Sequence, residues 1–117
     1  MSQAAFAATP EPPYVAVIFT STRRADDTGY PEMALAMAGL AAQQPGYLGM
    51  ESTGGEVGIT VSYWIDQDAA RRWKQVAAHL GAQRLGRERW YDDYRVRVAT
   101  VEREYSKASS SFDDPEI

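Results

Sequence analysis

Tyr14-Val15-Ala16-Val17-Ile18-Phe19-Thr20-Ser21 is the stretch that decides the fold. Its β-branched and aromatic residues mark it as a strand. Side chains alternate between faces along a strand, and here both sets are apolar. Val15, Val17 and Phe19 point one way, Ala16 and Ile18 the other. A strand apolar on both sides is a central strand that needs cover on both sides. Val57–Ile65 repeats the pattern, with Ile59, Val61, Tyr63 and Ile65 on one face and Thr60, Ser62 and Trp64 on the other.

The rest of the chain fits around these two strands. After a polar loop over Arg23–Gly29, Pro31 suits a first helical position, and Glu32 complements the helix dipole there. Met33, Met37, Leu40 and Ala41 then follow at helical spacing, and Pro45-Gly46 ends the helix. Tyr47–Thr53, the Gly54-Gly55 pair and Val57–Ile65 read as a β-hairpin. Asp66 is a good N-cap for a second helix carrying Ala69, Ala70, Trp73, Val76, Ala77 and Leu80, with Gly81 or Gly86 marking its end or a kink. Tyr91–Tyr105 is a long last strand whose Val96, Val98 and Val101 stand among charges, as on a sheet edge.

The order is therefore β-α-β-β-α-β. Right-handed crossovers turn it into an α+β, ferredoxin-like fold, a four-stranded antiparallel sheet with both helices on one face. Two helices cover one face only, yet the central strands are apolar on both. The bare face calls for a partner, and the simplest partner is the same face of a second copy, a homodimer. Residues 14–105 form the folded body. Residues 1–13, rich in proline near their end, and residues 106–117, rich in serine and acids, are expected as flexible tails.

Composition narrows the function. The 117 residues suffice for one domain, and a net charge of −4 disfavours nucleic acid and anionic membrane surfaces as partners. With no cysteine and His79 as the single histidine, structural zinc, iron–sulfur clusters, disulfides and thiol nucleophiles are excluded. A haem with one axial histidine or a carboxylate-bound hard cation stays open, and no transition-metal site built on protein ligands is implied. The start carries no basic segment of the signal-peptide kind, so the expected location is the cytoplasm.

Val15–Ser21, Gly29-Tyr30 before Met33-Ala34 and Met37, Gln44-Pro45-Gly46-Tyr47-Leu48-Gly49, Ser62-Tyr63-Trp64, and Trp90-Tyr91 before Arg97-Val98-Ala99 resemble the antibiotic biosynthesis monooxygenase domain. The resemblance covers nearly the whole folded body. It implies a dimeric α+β barrel with a pocket in each subunit between helices and sheet, and, for some members, oxidation of anthrone- or quinol-like aromatics by dioxygen with no cofactor. That type carries an asparagine four residues before a third-strand tryptophan and an arginine downstream. Trp64 matches the tryptophan and Arg84 the arginine, but Thr60 stands where the asparagine would be. In the haem-degrading type, a second-helix tryptophan is followed by a histidine ten residues on. Trp73 matches the first, yet Gln83 occupies the second position, His79 comes four residues early, and the first strand has no asparagine.

The expectation is a cofactor-independent monooxygenase for a small, flat, electron-rich aromatic. Trp64 would stack on the substrate, with Thr60 and Ser62 orienting its polar groups. His79 would take the proton, since its unperturbed pKa lies near neutrality, and Arg84 or Arg97 would steady the oxyanion. Trp73 and Trp90 would complete the lining. Each also has a plainer reading: Trp64 and Trp73 as core, His79 as a solvated or capping residue, Trp90 as an edge anchor, the arginines as a solvated rim. The rivals as a whole are a non-catalytic ligand-binding or stress-related protein and a haem binder or degrader using His79.

Overall fold

The computed structural model describes residues 6–83 and 90–108. In chain order they form β1 (Tyr14–Arg23), α1 (Tyr30–Ala42), β2 (Tyr47–Thr53), β3 (Gly58–Trp64), α2 (Gln67–Gln83) and β4 (Tyr91–Val101). The four strands make one antiparallel sheet in the order β2-β3-β1-β4, which puts β1 and β3 in the middle, as expected. The expected α+β, ferredoxin-like architecture is the observed one.

Local chemistry accounts for the element ends. The Asp66 carboxylate accepts the Ala69 N–H at 2.8 Å and so caps α2. Gly29 precedes α1 in the left-handed region, with Pro31 in the first turn. Gly46 turns the chain from α1 into β2 at φ 85°, and a Cβ there would stand 2.6 Å from that of Ala69. Glycine is required at that position for both reasons. Several boundaries differ from the sequence reading: β1 runs on to Arg23 and β3 spans Gly58–Trp64. The second helix runs through Gly81 to Gln83, since one glycine costs a helix only about 1 kcal/mol, and Gly86 lies outside the described residues. The last strand ends at Val101 rather than Tyr105, where its pairing with Tyr14 ends.

Register assigns the faces. Val15 pairs with Trp64, Val17 with Ser62 and Phe19 with Thr60, so all six side chains share one face. Both helices lie on it: Val15 and Trp64 pack with Ala41 of α1 and Ala69 and Ala70 of α2. The alanines let the helix backbones approach closely enough to leave Trp64 with no exposed surface.

The second face carries Tyr14, Ala16 and Ile18 of β1 and Ile59, Val61 and Tyr63 of β3. No helix covers it. The lead-in expected as a tail touches one end of it, where the Ala7 N–H donates to Glu51 at 2.9 Å and Ala7 sits against Gly49. Glu104, beyond β4, accepts hydrogen bonds from Thr9 and from the Tyr14 hydroxyl. The other end of the face is open, with Ile59 38 % exposed.

Candidate functional site between helices and sheet

The layer between helices and sheet has two different ends. At the Trp64 end, among the described residues, every buried side-chain polar atom has a partner. The indole Nε1 donates to Ser62 Oγ at 2.9 Å, and both residues are buried. Trp73 of α2 stacks on Trp64 at 5.7 Å between centroids and 21° between planes, and Tyr47 meets its edge at 5.6 Å. Ser62 thus serves Trp64, and Trp64 is enclosed. Trp73, half-buried, is the indole of this pair with surface to offer.

At the far end of β1 stands a second aromatic group, whose Phe19, Tyr30 and Tyr94 were not among the site residues expected from the sequence. Phe19 stacks on Tyr94 at 5.5 Å and 19°, and meets the edge of Tyr91 at 5.2 Å. Tyr30, at the start of α1, packs edge-on to Tyr91 at 5.9 Å, and the Arg23 guanidinium lies 4.3 Å above the Tyr30 ring. A cation over an aromatic face is attracted by the ring quadrupole. Arg23 is further held by Asp27 at 3.6 Å. Burial pushes the Tyr91 phenol well above the ordinary tyrosine range. The neighbouring Tyr30 hydroxyl adds to the shift by charge and by a hydrogen bond, against a smaller opposing pull from Arg23. Tyr91 is therefore a neutral hydroxyl at physiological pH.

Trp90 belongs to this end. It is 5 % exposed, its Nε1 donates to the Thr28 carbonyl at 3.2 Å, and its own carbonyl accepts the Arg24 N–H at 2.8 Å. It ties the loop after β1 to the start of β4. Thr60, half-buried opposite Phe19, lies between the two ends.

Of the remaining sequence candidates, Arg97 lies on the other side of the sheet: it pairs with Ile18 across the β1–β4 ladder, so it projects from the second face, away from Trp64, Ser62 and Thr60. His79 is exposed on α2. Arg84 lies outside the described residues. Among the described residues no cluster of His, Asp and Glu has the makings of a metal site, and no helix is long and apolar enough to cross a membrane. Arg23, Tyr30, Phe19 and Tyr94 had a weak signal in the sequence. Phe19, Ser21 and Arg23 alternate along the strand, but the bulge between Thr22 and Arg23 hides which residue of β4 each one meets.

Comparison with known proteins adds a relative. No protein-family model matches the chain. YqjZ of Bacillus subtilis, an uncharacterized protein, is 52 % identical over 98 residues, covering 82 % of this chain and 86 % of that one. The chain belongs to the YqjZ family. Its fold is shared with solved structures of low identity. PA3566 from Pseudomonas aeruginosa has a TM-score of 0.60 at 18 % identity, covering 82 % of this chain and 99 % of its own. SnoaB, a cofactor-independent oxygenase from Streptomyces nogalater, has a TM-score of 0.59 at 16 % identity, covering 82 % and 98 %. NE2512 from Nitrosomonas europaea has 0.58 at 15 %, covering 85 % and 97 %. These likenesses show that the YqjZ-family chain shares the α+β fold of these structures.

Proposed function

We propose that this protein is a homodimeric, cofactor-independent monooxygenase-like enzyme that binds a small, flat, electron-rich aromatic or quinol between helices and sheet. The observation that carries the reading is the half-buried group of Phe19, Tyr30, Tyr91 and Tyr94 beside Arg23. Rings offer a stacking surface for a planar guest. A guanidinium and a neutral phenol at one edge suit a substrate oxygen that becomes anionic. The fold shared with the oxygenase SnoaB makes this class of reaction the natural one to test.

The chemistry needs little from the protein. Loss of a proton from the substrate gives an electron-rich anion that reduces dioxygen. In an anthrone, the methylene carbon becomes a carbonyl with one oxygen atom, and the other leaves in water with the two hydrogens. Arg23 and Tyr91 would hold the anionic oxygen, Thr60 would orient it, and Trp73 would form part of the wall. His79, the residue expected to take the proton, is exposed on α2. Its exposure favours a second reading, in which the same layer sequesters a ligand without chemistry.

Oxygen uptake with a panel of quinols and anthrones, beside a hemin titration of the same protein, separates these readings. Uptake above background that His79→Ala abolishes, with ligand affinity kept, supports the oxygenase. Affinity without uptake supports sequestration. A saturable Soret shift lost in His79→Ala would instead point to haem.

A further inference from the structure

The helix side of the sheet continues past the ring group onto β4. Side chains alternate along that strand, so Arg95 and Arg97 share the second face with Thr20 and Ile18. Tyr94, Val96, Val98 and Thr100 share the helix side with Ser21, Phe19, Val17 and Val15. Cations are thereby sorted to one face and uncharged side chains to the other. The helices lie over the other three strands, α1 against β2, and α2 against β1 and β3. Val96 stays 48 % exposed and Val98 51 %, although both are on the side of the sheet that elsewhere forms the core.

These two valines continue the ring group without a break. Val96 pairs with Phe19, which stacks on Tyr94 and meets the edge of Tyr91. Val98 pairs with Val17, which packs against the Trp64 core. Residues paired across a ladder bring their Cβ atoms within about 5.5 Å, so Phe19, Val96, Val17 and Val98 form one surface. Its character changes along the strands. Arg23 and Tyr91 stand at one end, the rings of Phe19 and Tyr94 follow, and the aliphatic side chains of Val96, Val17 and Val98 come last. The Phe19–Val96 and Val17–Val98 rows are roughly 7 Å apart, which is near the length of an extended pentyl group. Thr100, paired with Val15, brings a hydroxyl just beyond them.

A lining that runs from polar to aromatic to aliphatic fits a guest whose parts come in the same order. A single ring fills the first two and leaves the valines in water. An alkyl chain on that ring takes their surface out of water as well. A charged chain would find no counter-ion there, since the helix side of β4 carries no charge from Tyr94 to Thr100.

We propose that the ligand of this site is a phenol or quinol bearing an aliphatic chain opposite its oxygen, and that Val96 and Val98 determine specificity by seating the chain. The proposal rests on the aromatic-ligand reading above and names the substrate class within it.

The test titrates the full chain with 4-alkylphenols, from methyl to hexyl, by calorimetry, with circular dichroism to confirm that each variant folds. Wild-type affinity should rise roughly threefold per added methylene and level off near pentyl. Val98→Thr and Val96→Thr keep the side-chain shape and add a hydroxyl. Each should cut the gain from methyl to pentyl by roughly threefold or more, while 4-methylphenol binds as before. Tyr91→Phe should weaken both probes alike, because both present the same oxygen. Affinity indifferent to chain length, or a gain that survives both threonine substitutions, overturns the chain seat and leaves the ring site standing. A dimer weakened by Val98→Thr in sedimentation equilibrium, with the chain-length gain unchanged, gives the valines to a second copy and overturns the chain seat too. A wild type that binds none of the phenols overturns the ring site and the chain seat together.

Discussion

The two ends of the helix–sheet layer are built from the same kinds of residue to opposite effect. At the Trp64 end, three alanines admit the helices, one serine takes the indole N–H, and the tryptophan vanishes from the surface. At the Tyr91 end, four rings meet at centroid distances of 5.2 to 6.0 Å yet stay half-exposed, with hydroxyls and a guanidinium among them. At the first end Trp64 and Ser62 are enclosed while Trp73 keeps some surface, and the second end stays half-exposed and carries hydroxyls and a guanidinium. Stability and binding therefore belong to different ends.

Substitutions can break that contrast. Trp64→Ala removes the most enclosed side chain and should cost about 3–5 kcal/mol in denaturant unfolding. Ser62→Ala strands a buried N–H and should cost about 1–3 kcal/mol. A loss no greater than that of a surface serine would show that this end is less tightly closed than described. Asp66→Ala removes the cap that starts α2 beneath Trp73 and should cost about 1 kcal/mol. At the other end, Tyr91→Phe should change stability by about 1 kcal/mol or less, while the affinity for an anionic aromatic falls. A large stability loss there would make the Tyr91 end core as well.

The smallest effect is one of pH, on the second face. The Tyr63 phenol is raised from 10.0 to about 12 by burial and by Glu51. A raised folded-state value means that the folded protein holds the proton more tightly. Its stabilising contribution is thus complete below pH 10 and fades as pH climbs toward about 12. Tyrosinate absorbance against pH, compared between wild type and Tyr63→Phe, shows the delayed titration.

How legible each region was follows from the range of its interactions. Alternation in Tyr14–Ser21 and Val57–Ile65 identified the central strands, because a period of two is a local property. Asp66 and Gly46 announced helix boundaries for similarly local reasons. The site was harder to read. Trp64 could be assigned to a face, but its enclosure depends on Ala41 and Ala69, which reach it only through the packing of two helices. Arg97 looked like a partner for a substrate until its pairing with Ile18 set it on the opposite side of the sheet. Tyr30, Arg23 and Tyr94 come from three separate elements, and no spacing within the chain brings them together. The contacts of Ala7 and Thr9 with Glu51 and Glu104 are equally long-range.

Oxygen consumption with a quinol and anthrone panel, run on wild type, Arg23→Gln and Ser62→Ala, tests the central claim most directly. The account predicts uptake by wild type on at least one substrate, lost with Arg23→Gln and kept, in folded protein, with Ser62→Ala. Uptake that survives Arg23→Gln but fails in folded Ser62→Ala would place the chemistry at the Trp64 end and contradict the account.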